Sequence, residues 1–422
     1  MAAKRTHDLI NEALKHIGPR TSKKQRMSRV SNEARIALEN IEDQGKVIPQ
    51  LVDVYRHPRE LLCQGYELHL AEQEPRVVTS GAQLAIEVVT ENKLLLYSYK
   101  KIISRLPLLP EIILEFRNAD WDKWQDMVGL IAHATSQTRS NDSSGLRDKL
   151  EYFIVPRELN MKVARGWNHQ WTAELLCPQR YRNKFLKDPC ALMLKAQKGS
   201  GKMQHHTDWP AFLYDATEYD KTNPESGLFK NRALVLILRH ILVGPSAVKS
   251  NTRSTLPRRC NASILGISDI NGHLIAYAAC QARFMLNAQT DWTRMDGKFD
   301  SSAFYDRITH YFKTGVEQGD ANVNELLKWY QSEVFSGSGL SQEDEDSDSD
   351  DDESDDEDED ALIQRQRELR QSRGTNTGEA PTGATGNTGE AASGSTGNAG
   401  GTNAGTIDDT SAGSSGATGP AT

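Results

Sequence analysis

The sequence predicts a mostly α-helical, multi-helix globular domain with minor β, followed by a disordered acidic and Gly/Thr-rich tail. Three observations carry this. Apolar residues recur at helical spacing through most of the chain up to Phe335, strand-like alternation is scarce, and almost no large apolar residue follows Ser341. The stretch from Gly227 to Arg283 is the centre of the domain. Its first part, Leu228–Val243, is long enough for about four helical turns and apolar on nearly every side, as a buried helix is. Gly244-Pro245 stops it, because proline cannot continue the hydrogen-bond ladder and glycine relaxes the C-terminal cap. A basic loop, Lys249–Arg259, separates this run from a second apolar segment that His273 opens and that extends through Arg283.

The other elements follow in chain order. Leu9, Ile10, Leu14 and Ile17 are helically spaced within a basic, partly disordered segment, 1–30. A helical region, 31–110, carries Ala34, Ile36, Leu38 and Ile41, then Val47, Leu51, Val54 and Leu61, and a long helix over Ser80–Leu106 that Pro107 and Pro110 break. The core helical domain, 111–336, begins with an amphipathic helix over Asp120–Ser136 capped by Asp120. Glu151–Val155 suits a short strand, Trp167 and Trp171 suit one helix face, and Asp208 suits a cap ahead of Trp209-Pro210. Helices over Ser301–Phe312, with a serine cap, and Asn324–Phe335 complete the domain. Residues 337–422 read as a disordered tail, with an acidic run at 343–360, a short Arg/Gln segment at 361–373 of helical character, and a Gly/Thr/Ala/Ser/Asn-rich end at 374–422.

The net charge of −8 hides an asymmetry. Fifteen carboxylates in the eighteen residues of the acidic run, and one net negative charge after it, leave about +8 on residues 1–342. Such a basic body with an acidic tether fits contacts to basic proteins through the acidic run, and DNA as a second partner class. Five widely spaced cysteines form no CxxC or short Cys/His pattern, so neither a disulfide framework nor a structural zinc site is expected. No signal-peptide pattern or apolar run of membrane-spanning length stands out, and a soluble intracellular protein is expected. Arg20, Lys23, Lys24 and Arg26 resemble a nuclear-import signal, bipartite with Lys4-Arg5, which places the chain in the nucleus. A solvated basic terminus, and a cytoplasmic protein, is the plainer alternative.

Asp208-Trp-Pro-Ala-Phe-Leu-Tyr, Gly227-Leu-Phe, Arg239-His-Ile-Leu-Val-Gly-Pro-Ser and Ile275-Ala-Tyr-Ala-Ala-Cys-Gln-Ala-Arg-Phe form a distinctive series, with Asp296-Gly-Lys-Phe-Asp and Phe304-Tyr. Through these pieces the segment from Arg117 to Phe335 resembles an uncharacterised family expanded in mushroom-forming (basidiomycete) fungi. The resemblance implies no activity. It implies a lineage-specific, multicopy fungal protein, a setting that suits chromatin or mobile elements.

Candidate chemistry is sparse. His206-Thr-Asp208 has the His-x-Asp form of an iron/2-oxoglutarate oxygenase, with His273 as a third ligand and Arg283 as the base pairing the co-substrate carboxylate. Those enzymes use a β-barrel, however, and here His273 and Arg283 fall on a helix. Ala196-Gln-Lys-Gly-Ser-Gly-Lys-Met lacks the glycine of a phosphate-binding loop at Ala196 and its hydroxyl at Met203. Lys249, Arg253, Arg258 and Arg259 can contact phosphates without sequence preference, or simply be solvated. Ser347, Ser349 and Ser354 each have an acid three residues on, the pattern of an acid-directed kinase, although the run also suits a solubility tail. The combined expectation is a non-enzymatic nuclear interaction protein that needs no cofactor. Its helical body binds a partner and its acidic run binds basic proteins. A DNA-contacting protein linked to mobile elements and a divergent iron/2-oxoglutarate oxygenase are the alternatives.

Overall fold

The helix Gly272–Leu286 shows why the chain folds as it does. Every side chain from His273 to Leu286 is buried except that of Phe284, so other elements must surround it on all sides. Asn271 starts it, its side chain accepting hydrogen bonds from the amides of His273 and Leu274 at 3.0 and 3.2 Å. The helices Ser301–Glu317 and Arg232–Leu238 pack against it. The computed structural model describes residues 2–15, 30–73, 86–147, 159, 161–199, 202–249, 260–335, 363–364 and 367–368. These all belong to the unit Met1–Gly374, and the second unit, Thr375–Thr422, lies outside the described residues.

The architecture is mostly α, as the pattern of apolar residues predicts. Among the described residues the only paired strands are the two-residue strands Met295–Asp296 and Phe299–Asp300, an antiparallel hairpin turned by Gly297 at φ 63°. The core divides into clusters. The first gathers Ile10, Leu38, Ile41, Leu61, Tyr99, Phe116, Trp124 and Ile131 from the helices Ala2–Lys15, Asn32–Leu51, Pro58–Gln73, Ile86–Arg105, Leu109–Ala119 and the start of Trp121–Arg147. The second surrounds Gly272–Leu286 and includes Trp209, Phe212, Phe229, Leu234, Phe304 and Tyr330. A small third one holds Cys177, Phe185, Leu192 and Met203. The first cluster therefore starts inside the segment expected to be partly disordered and passes the expected boundary at 110. Among the described residues no helix is long and apolar enough to cross a membrane.

Several elements differ from the periodicity, each for a physical reason. The run expected as one helix over Leu228–Val243 begins as a turn, with Gly227 at φ 72° and Phe229 at φ 60°. The turn is fixed because the Phe229 carbonyl accepts the Tyr330 hydroxyl. Asn231 caps the helix Arg232–Leu238, and Arg239–Val243 continues as a π-helical turn until Gly244, at φ 132°, ends it. The helix expected over Asp120–Ser136 runs from Trp121 to Arg147, because its polar second half still meets the body. There the Asp142 carboxylate accepts hydrogen bonds from Tyr277 at 2.8 Å and Gln50 at 3.2 Å. Asp120 does accept from the Lys123 amide, as its capping role requires.

Trp167 and Trp171 do not share a helix, since His169 caps the one that carries Trp171. Asp300, not serine, caps Ser301–Glu317, accepting from Ser302 and Ala303 at 2.9 and 3.0 Å. The strand expected at Glu151–Val155 lies outside the described residues.

Close helix contact sets opposite signs for two glycine substitutions. A Cβ on Gly65 falls 2.6 Å from Cβ of Tyr99 on the neighbouring helix, whereas one on Gly129 meets nothing within 4 Å. Gly65→Ala is expected to destabilise by about 1–3 kcal/mol through overpacking. Gly129→Ala is expected to stabilise by up to about 1 kcal/mol through helix propensity. Urea unfolding of both variants checks this, and equal midpoints contradict it.

Candidate functional site

A buried polar arrangement is centred on Arg56, in the loop between Asn32–Leu51 and Pro58–Gln73. Asp53 shapes this loop, its Oδ1 accepting the amides of Tyr55 and Arg56, both at 2.8 Å. The Arg56 guanidinium then meets three carboxylates. Nη1 lies 2.6 Å from Asp53, Nε and Nη2 grip Glu91 at 2.8 and 3.1 Å, and Nη1 and Nη2 grip Asp306 at 3.0 and 2.9 Å. Fork-to-carboxylate pairing of this kind is the strong form of ion pair. Burial opposes the charge on Arg56, but the bonds to Glu91 and Asp306 outweigh it and keep the guanidinium protonated. The two carboxylates respond in opposite directions. Glu91 is partly exposed, and its bond to Arg56 holds its carboxyl below the usual range. Asp306 is more buried, and desolvation raises it to about 6 despite the same guanidinium.

Beside this cluster is a cavity of about 100 Å³, lined among others by Asp53, Lys93, Tyr97, His273, Tyr305 and Lys313. His273 is placed there by its position at the start of the central helix. Its Nδ1 is 2.9 Å from the Tyr305 hydroxyl, which is 3.2 Å from the Val52 carbonyl. The carbonyl can only accept, so with both bonds made the hydroxyl donates to it and accepts from Nδ1–H, which leaves the lone pair of His273 on Nε2. Tyr97 stacks on the imidazole with centroids 6.0 Å apart, and Lys313 and Lys101 lie 4.3 and 5.2 Å from the Tyr97 ring. Burial first, then repulsion from Lys101 and Lys313, lowers His273 to about 3. At neutral pH the ring is therefore an uncharged hydrogen-bond acceptor and a weak base. Burial and Lys313 also lower Lys101 to about 8. A wider groove of about 530 Å³ in the first cluster is walled by Leu9, Ile36, Leu106, Leu109 and Ile112, with the Arg5–Glu33 ion pair at 2.9 Å.

The oxygenase-like residues are not assembled into one site. His206 stacks on His205, with centroids 4.6 Å apart. Asp208 is buried against Arg180 at 2.6 Å rather than capping a helix, because a carboxylate without water needs a cation more than it needs an amide. His273 lies in the small cavity. Arg283 pairs with Asp296 at 2.9 Å and lies over the Phe299 ring at 3.3 Å, so its guanidinium is engaged inside the body. Among the described residues no group of three or more His, Cys, Asp and Glu could hold a metal ion.

Lys249 forms the end of a short helix, but its side chain, like all of Arg253, Arg258 and Arg259, lies outside the described residues. So do Arg20, Lys23, Lys24 and Arg26, and the serines Ser347, Ser349 and Ser354.

Two arginines escaped the sequence analysis. Arg56 sits in Val52-Asp-Val-Tyr-Arg, where two charges within an apolar stretch are the only signal. Arg367 looked like one of several basic residues in a short Arg/Gln segment. Its side chain is 5% exposed, with Nε 3.4 Å from Asp320 and 3.6 Å from Glu225 and the guanidinium over the Tyr311 ring at 4.5 Å. Ile363, one turn earlier, belongs to the main core cluster. This part of the expected tail is helical at 363–364 and 367–368 and packed on the body.

His273 predicts a pH dependence. Its folded pKa, about 3, lies below its ordinary 6.5, so the folded state binds fewer protons than the unfolded one between these values. Its contribution to stability is complete above about pH 6.5 and is lost as pH falls toward 3. Between pH 7 and 5 this amounts to about 2 kcal/mol. Asp142, raised to about 6 by burial, acts in the opposite direction over its own range, so the informative quantity is a difference. The stability of wild type relative to His273→Gln is expected to fall by that amount from pH 7 to 5 in urea titrations. Parallel curves contradict it.

No curated protein and no solved structure matches the chain. Residues 133–335, which include His273, Tyr305 and Asp306 but neither Arg56 nor Arg367, are similar to a family of unknown function (DUF6698).

Proposed function

We propose that this chain is a non-catalytic nuclear interaction protein whose helical body presents an acidic run, 343–360, to basic protein surfaces such as histone tails. One observation supports this above the others: the described residues on both sides of the run are fixed to the same core cluster. Phe335, at the end of the last helix of the body, packs against that cluster, and Ile363 is part of it. The fifteen carboxylates therefore lie in sequence between two residues of one folded body, which supports the reading that their field acts from that body.

The remaining assignments extend this. Arg20, Lys23, Lys24 and Arg26 direct nuclear import, and phosphorylation of Ser347, Ser349 and Ser354 strengthens the field. The helical body binds a partner of its own, and the fungal chromatin setting follows from the family resemblance. Contact with DNA through Lys249, Arg253, Arg258 and Arg259 is the second reading, and a duplex competitor separates the two.

The test is titration of the full chain with a lysine-rich histone-tail peptide, beside a variant with every Asp and Glu of 343–360 changed to Asn and Gln. Wild-type affinity is expected to fall steeply between about 50 and about 200 mM salt. Neutralising the run is expected to weaken it at least roughly tenfold, about 1.4 kcal/mol. Equal affinities of the two proteins contradict the proposal.

A further inference from the structure

The cavity beside His273 has polar walls that do not fully satisfy one another. Two helix faces form its sides. Lys93 and Tyr97, four apart, come from Ile86–Arg105, and Asp306, Thr309 and Lys313, three and four apart, from Ser301–Glu317. His273, Tyr305 and Ser98 are buried and close it on the inner side, while Lys93 and Lys313 are exposed at its rim. Its volume of about 100 Å³ takes about three waters or one tetrahedral oxyanion.

The acids and the bases around this cavity are matched to different degrees. Both oxygens of Asp306 accept from Arg56, at 3.0 and 2.9 Å. Asp53 is held by the same guanidinium at 2.6 Å and by the amides of Tyr55 and Arg56. The ammonium groups have no such match. Among the described residues Lys93 and Lys101 form no ion pair, and Lys313 meets only Glu317, at 3.9 Å. Lys101 and Lys313 lie 5.2 and 4.3 Å from the centroid of one ring, that of Tyr97, and they repel each other. An anion held between the two helices relieves that repulsion.

His273 decides which anion fits. Its side chain belongs to a residue 8% exposed, Nδ1 is committed to the Tyr305 hydroxyl, and no group among the described residues bonds Nε2. A buried acceptor without a donor is costly, so the cavity favours an anion that still carries a proton. Inorganic phosphate keeps at least one O–H at neutral pH. A simple phosphomonoester, with a second pKa of about 6, has mostly lost it, and sulfate has none.

We propose that this cavity binds hydrogen phosphate, His273 Nε2 accepting its O–H while Lys93 and Lys313 meet its charged oxygens from the two helices. The site uses neither the acidic run nor a nuclear location, so it stands apart from the function proposed above.

The test is isothermal titration calorimetry of the full-length protein at about pH 7.5 and fixed ionic strength, with inorganic phosphate, sulfate and methyl phosphate as probes. Phosphate is expected to bind at least roughly tenfold more tightly than either of the others. Lys313→Gln, a change at the exposed rim, is expected to weaken phosphate binding at least roughly tenfold. Lys100→Gln removes an exposed lysine that pairs with Glu72 instead, and is expected to leave binding unchanged. His273→Leu, shown to be folded by circular dichroism, is expected to lose the preference for phosphate over sulfate. No phosphate binding by wild type, equal binding of sulfate, equal effects of Lys313→Gln and Lys100→Gln, or full preference in folded His273→Leu overturns the proposal.

Discussion

A carboxylate removed from water needs a cation, hydrogen-bond donors or a proton, and at several places in this fold a cation from another element supplies the match. Asp306 on the helix Ser301–Glu317 is matched by Arg56, 250 residues earlier. Asp208 is matched by Arg180, Asp296 by Arg283, and Glu225 and Asp320 by Arg367. Burying an ion costs several kcal/mol, and leaving its partner unpaired costs more than the pair returns. Each pair therefore ties two parts of the chain together while adding little to net stability. Arg56 joins the N-terminal helices to the core around Gly272–Leu286, and Arg367 joins the segment after the acidic run to that core.

This constraint explains which parts of the fold were legible in the sequence. The central helix could be read because it is apolar on every side and preceded by Asn271, and the fold class follows from local periodicity. The helix predicted over Leu228–Val243 starts late because Phe229 takes a positive φ and accepts a hydrogen bond from Tyr330, a contact that no local pattern encodes. The helix from Trp121 outlasts its apolar stripe because Asp142 finds Tyr277 and Gln50. His206-Thr-Asp208 shows the reverse case. Its spacing suggested ligands, but spacing cannot reveal that Arg180 already neutralises Asp208.

The candidate sites follow from the same physics. His273 is a buried polar position on the central helix, but its neighbours Tyr97, Tyr305, Lys101 and Lys313 come from two other helices and were not foreseeable. They make it a neutral hydrogen-bond acceptor beside a small cavity. Arg367 was hidden among other arginines, and its role depends on two carboxylates that the sequence places far apart. The proposed function relies on this end of the chain being held on the body.

The most direct measurement is therefore hydrogen exchange at the backbone amides of Arg367 and Glu368 in the full-length protein. If buried-charge pairing holds this segment on the core, both amides exchange at least roughly tenfold more slowly than in a free peptide, and Asp320→Asn speeds them without altering exchange in Gly272–Leu286. Exchange at the free-peptide rate in the wild-type protein contradicts the account.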